Sequence, residues 1–313
     1  LNTEEKLVLC PPDFQELKIV LPGYSSEQYY SAFFNPGARE TTKDNKVFKP
    51  LKDGKIEASL EKEILWKVDI VDQGRVMVES TPIYINDILY MASRDDFVYA
   101  FKGLSAKNPE KLWSVRIGKF SSFSSSPSWD NNILYLGGND GYFYALSDKQ
   151  EKLFGRYKLP KGSLIQNSSD ISKEHNLVIF SGFLAGTGDE GRVYALPLIN
   201  KLTKSWSHVW TFTTKQKIET QPIVSGNNTF IGSNDGYLYC LNTQNGKVLW
   251  RYPVGKAIYC PPVVEGNNLY LVANNYLRAV KTDKLKEAWK VQIQVESNGQ
   301  PLVKDGVIYF GTS

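Results

Sequence analysis

Ile231-Gly-Ser-Asn-Asp-Gly-Tyr-Leu-Tyr-Cys-Leu-Asn-Thr-Gln-Asn-Gly-Lys-Val-Leu-Trp250 is the stretch that decides the fold. It reads as a strand end, a tight turn at Asn234-Asp235-Gly236, a second strand alternating Tyr237 and Tyr239, a turn at Gly246 and a third strand ending in Trp250. Asp-Gly at a two-residue hairpin supplies the positive φ angles that such turns need. The unit recurs. Gly138-Asn-Asp-Gly-Tyr-Phe-Tyr-Ala-Leu146 is nearly identical, Ser93-Arg-Asp-Asp-Phe-Val-Tyr-Ala-Phe101 has Asp96 for Gly, and Gly191-Arg-Val-Tyr-Ala-Leu196 and Tyr276-Leu-Arg-Ala-Val280 are more worn copies.

Each copy is preceded by strands opened at a proline or small residue: Pro82, Pro127, Ser168-Ser169, Pro222, Pro262 and Pro301. A tryptophan strand follows: Trp66, Trp113, Trp210, Trp250 or Trp289, with Phe154 read as the substitute in one copy. Pro82 to Pro127 is 45 residues, Pro222 to Pro262 is 40 and Pro262 to Pro301 is 39. The 95 residues from Pro127 to Pro222 hold two repeats, one enlarged by a loop near Thr187. Four short strands in a period near 40 predict an all-β propeller of four-stranded antiparallel blades. A blade cannot bury both faces alone, so the five tryptophans are read as structural wedges between blades, opposite a small residue such as Cys240 or Ala279.

This combination of Ala or Cys, a glycine turn and Trp, behind a Pro-opened strand and an Asn-Asp-Gly turn, resembles the PQQ-like (pyrrolo-quinoline quinone) repeat, a WD40-like blade. Within that group the chain is most similar to the non-enzymatic BamB-type propellers of the cell envelope. The resemblance covers residues 53–313. It implies a scaffold that binds protein, sits outside the cytoplasm in the periplasm or at the outer membrane, and needs no cofactor or metal.

Six repeats are recognisable, which gives six or seven blades depending on residues 1–52, an N-terminal extension or degenerate blade ahead of the propeller of residues 53–313. The strands from Pro301 onward form only half a repeat, and those after Asp53 form the other half. Pairing between them is therefore expected to close the ring, with the two ends of the chain sharing a blade and leaving no ragged edge.

A net charge of +4, from 37 basic and 33 acidic residues among 313, is too mild for a nucleic-acid protein. No apolar run is long enough to span a membrane. The chain begins at Leu1, so a trimmed or processed form is expected, with any signal or lipid anchor upstream. Cys10, Cys240 and Cys260 make no disulfide framework, and Cys240 and Cys260 are expected as buried thiols. Gly186-Thr-Gly-Asp-Glu-Gly191 fits a dinucleotide fingerprint, but a strand follows where a helix is required, so it is read as a hairpin.

Quinone-linked dehydrogenases are built from the same repeat. Their adjacent cysteine pair is missing here, and no constellation of base and Lewis acid is legible. The reading is a non-catalytic, monomeric scaffold. The alternative is a quinone-linked enzyme or a propeller binding carbohydrate or another small ligand. Protein contacts are assigned to the connections from each Trp strand to the next blade, at one mouth of the channel. The candidate anchors there are Arg75, Lys119, Phe120, Phe123, Lys217, Lys256, Tyr259 and Glu296.

Overall fold

The computed structural model describes strand backbone at residues 7–9, 16–20, 41–43, 46–50, 55–60 and 63–69, and side chains at 78, 80–102, 109–149, 152–184, 190–283, 286–293, 300–303 and 306–310. All regular structure among them is β, in seven antiparallel sheets. The chain is a β-propeller by fold class, each sheet a meander whose strands follow one another in sequence save where the two chain ends meet and in the sheet of residues 163–214, where Ser163–Leu164 and Asp170–Ser172 both pair with Leu177–Leu184.

The chain divides into two compact units. The first holds the sheets of residues 223–253 and 263–292, and one shared by the two ends, in which Glu16–Val20 pairs with Val307–Gly311, flanked by Leu7–Leu9 and Leu302–Lys304. The second holds the sheets of residues 41–69, 83–116, 128–158 and 163–214.

The ends of the chain do share a sheet, but the expected pairing with the strands after Asp53 is corrected. Lys55–Leu60 lies between Lys46–Pro50 and Glu63–Asp69, and Thr41–Lys43 pairs with the far side of Lys46–Pro50. Both edges of Lys55–Leu60 are thus taken within its own sheet, and the C-terminal strand Val307–Gly311 pairs with Glu16–Val20 instead. The strands on either side of the Gly-rich segment, Leu177–Leu184 and Gly191–Pro197, pair antiparallel. Thr187 and its loop lie outside the described residues. Extra length in this copy also appears at residues 198–209, between its third and fourth strands.

Five tryptophans hold one register, opposite a small residue on the preceding strand: Ala58 to Trp66, Ala100 to Trp113, Ala195 to Trp210, Cys240 to Trp250 and Ala279 to Trp289. Trp113, Trp250 and Trp289 each tilt onto a second-strand ring, Tyr90, Phe230 and Tyr270, at centroid separations of 5.9, 5.8 and 6.0 Å. They belong to apolar clusters that continue into the next sheet, through Leu134 and Leu146 for Trp113 and through Ile308 and Phe310 for Trp289. Trp210 presses on the Gly246 turn, where a Cβ would lie 2.5 Å from the indole. The Trp66 side chain is outside the described residues.

Phe154 is not the substitute in the remaining copy. Gly155 faces Ala145 in the tryptophan register, and Trp206, from the 198–209 connection, enters the space above it. The Trp206 ring meets Tyr135 at 6.1 Å, the geometry of the other pairs. The one-residue register slip after Ala145 matches those beside Ala58, Ala100, Cys240 and Ala279, so Gly155 stands where those copies carry tryptophan.

Candidate functional site

Three turns show what the Asn-Asp-Gly signature is for. Asp95, Asp140 and Asp235 each accept one hydrogen bond from the backbone N–H two residues on and another from the tyrosine hydroxyl four residues on. Tyr144 Oη donates to Asp140 at 2.5 Å and Tyr239 Oη to Asp235 at 2.8 Å. Burial first, and the neighbouring carboxylate second, push both phenols well above the usual tyrosine range. These aspartates anchor the turn and are not free acids for catalysis.

The connections out of the fourth strands are pinned to these turns. Ile117 N–H donates to Asp96 C=O and Phe123 N–H to Ser93 C=O; Leu159 and Ile165 repeat the pair on Gly141 and Gly138, and Val254 and Ile258 on Gly236 and Ser233. An apolar residue then plugs the core: Phe123, Ile165, Ile218 and Ile258 are fully buried. Two residues after it, a hydroxyl clasps the end of the next sheet's second strand. Ser80, Ser125 and Thr220 donate to the C=O of Ala92, Gly137 and Gly232, and accept from the N–H of the same residues. One residue further, Thr81 N–H donates to Ser126 Oγ and Ser126 N–H to Ser168 Oγ, stitching successive first strands in the second unit. None of this stitching was anticipated. Its only trace in the sequence is a small hydroxyl residue two places before Pro82, Pro127 and Pro222.

Phe123 is therefore corrected from partner contact to core. It is 0% exposed and meets Tyr144 edge-on at 6.0 Å. Phe120, three residues earlier, is 84% exposed. Lys119 is exposed beside it, as are Lys256 and Tyr259 on their own connection. Lys217 is half-buried, its ammonium 5.2 Å over the Phe183 ring. Arg75 and Glu296 lie outside the described residues.

The connection of residues 117–123 has an additional clamp. The buried Asp96 carboxylate accepts from Phe120 N–H at 3.1 Å and Ser122 N–H at 3.0 Å, and pairs with Arg116 at 2.9 Å. Burial alone would raise its pKa; the two amides and the guanidinium outweigh that and hold it below the usual carboxylate value. Arg94 Nε donates to Ser122 Oγ on the same connection.

Sheets locked on a tryptophan register, with connections laced to Asp-anchored turns, define a β-propeller. Comparison with known proteins agrees. The family described as outer membrane protein assembly factor BamB matches residues 198–313. Among solved structures, BamB from Moraxella catarrhalis is similar at 12% identity and TM-score 0.56, over 90% of this chain and 97% of that one. The WD40 propeller domain of Doa1 is similar at 13% identity and TM-score 0.60, over 94% and 95% of the two chains. The computationally designed Ika8 protein is similar at 14% identity and TM-score 0.57, over 88% and 96%. At these identities the likeness is one of fold. A search of curated proteins finds no match.

Proposed function

We propose that this chain is a non-catalytic propeller scaffold that binds a protein partner through the connections leaving its fourth strands, in the cell envelope. The observation that carries this reading is the contrast within those connections. Their backbone is tied down, while Lys119, Phe120, Lys256 and Tyr259 are turned outward. Rigid presentation of exposed aromatic and cationic side chains lowers the entropy lost on docking, which is what a protein-binding surface needs. Lys217 joins this set at the edge of its own connection. The BamB-like fold supports a monomeric scaffold in the extracytoplasmic space, anchored through any lipid carried upstream.

Photocrosslinking side chains placed at 119 and at 256 in intact cells of the source organism test the reading. Discrete protein adducts are expected from both, and none from a control at Leu112 on the outer strand. The rival reading, a quinone-linked or sugar-binding propeller, predicts instead a saturable thermal shift with PQQ and calcium or with an oligosaccharide. Such a shift would displace the scaffold reading.

A further inference from the structure

Two positions in the second unit break the economy of the repeat together. The turn position held by Gly141, at φ 77, is held in the preceding sheet by Asp96, at φ 73. The connection position held by Gly162, at φ 87, is held there by Phe120, at φ 61. The equivalence is fixed by matching hydrogen bonds at both ends: Ile117 to Asp96 against Leu159 to Gly141, and Phe123 to Ser93 against Ile165 to Gly138. Left-handed backbone favours glycine, and a bulky residue there is an outlier. Ser122, at φ 38, is a third such residue in the same loop. The substitutions are also coupled: the Asp96 carboxylate holds the amides of Phe120 and Ser122, so one exception fixes the geometry of the other.

Unfavourable backbone retained at an exposed aromatic, where a glycine would serve the fold, marks a functional position. The exposed charges on residues 94–96 and 116–122 are cationic, with Arg116 already paired to Asp96. Arg94, Arg116 and Lys119 are exposed, whereas Asp95 and Asp96 are turned inward to Tyr99 and to the loop amides.

We propose that Phe120 is the anchor by which this chain docks, inserting into an apolar socket rimmed by carboxylates on a protein partner, and that Asp96 is the positioning residue that holds it there. This rests on the scaffold reading above and names its contact. An aromatic anchor gains from burial in a desolvated pocket, and the flanking cations add steering and register.

Two substitutions restore the repeat's own glycines, F120G and D96G, so both suit the observed backbone. Peptides selected from a random twelve-residue phage library against the intact chain serve as the probe, titrated by fluorescence anisotropy. The expected selection is an aromatic or aliphatic residue flanked by Asp or Glu, its binding weakened at least about tenfold by F120G and by K119E. D96G should weaken it comparably, with faster amide exchange at Phe120 and Ser122 and none at Val98. Selected peptides lacking carboxylates, or bound equally by F120G, overturn the proposal. So does Phe120-dependent binding to phosphatidylglycerol vesicles, which would make this a membrane contact. Peptides lost on Lys256 and Tyr259 variants but not on F120G remove the Phe120 anchor and leave the scaffold reading intact. Failure to select any saturable peptide removes both.

Discussion

Trp206 lies 6.1 Å from Tyr135 and fills the slot that Gly155 leaves empty in its own strand. An insertion thus supplies from outside the sheet the ring that the repeat normally supplies from within. Its indole N–H donates to Pro197 C=O at 2.9 Å, and the ring is 7% exposed. Trp206→Ala should cost about 3–5 kcal/mol, read as a fall in the urea midpoint. Gly155→Trp alone should also destabilise, because a Cβ at 155 already meets Ile199 and Thr203 at 3.0 Å. Combined with Trp206→Ala it should recover part of the loss. Additive losses in the double variant would refute the shared slot.

Asp140→Ala should cost more than Tyr144→Phe. Removing the carboxylate strands the buried phenol and frees the Tyr142 N–H, for about 1–3 kcal/mol. Removing the hydroxyl leaves Asp140 its bonds from Tyr142 N–H and Ser121 Oγ. Paired denaturant curves decide the order.

Thr220→Val keeps the shape and loses the clasp on Gly232, whose N–H and C=O are both bonded to the hydroxyl. A loss of about 1–3 kcal/mol is expected in the urea midpoint. Gly232→Ala should be worse than this position's solvent access suggests, since its Cβ would lie 2.5 Å from Ile258 Cγ2.

The Asp96 clamp carries a pH signature. Its folded pKa lies below the unfolded value of about 3.9, so its stabilisation is full above that value and lost as pH falls through the folded pKa. Amide exchange at Phe120 and Ser122, corrected for intrinsic rate, should lose protection below about pH 4. In Asp96→Asn that step should be absent.

Cys240 and Cys260 are both buried, and burial pushes the Cys240 thiol up to about 12. In a Cys10→Ser background, a thiol reagent at pH 8 should label neither until denaturant is added. Prompt labelling of the native chain would contradict the packing at the Cys240–Trp250 register.

Much of this fold was legible because a repeat states its own rules several times. Asn-Asp-Gly, the alternating tyrosines and the paired small residue and tryptophan are local patterns, and the strands they predict are where the structure has them. Phe154 misled because it is the aromatic nearest the slot, whereas the ten-residue spacing that runs from Cys240 to Trp250 and from Ala279 to Trp289 runs from Ala145 to Gly155, and the ring comes from a distant insertion. Phe123 was read with Phe120 as a surface pair. Spacing alone does not say which of two phenylalanines in a serine-rich run is the plug; the bond from Phe123 N–H to Ser93 C=O does.

The sequence by itself determined the propeller class, the tryptophan register and the set of connections on which function should be sought, because each rests on contacts a few residues apart repeated along the chain. Only the tertiary structure decided that Glu16–Val20 receives the C-terminal strand, that Trp206 stands in for a strand residue, and that Asp96 locks Phe120 outward. Those outcomes depend on which edges, cavities and carboxylates are already taken when distant segments meet.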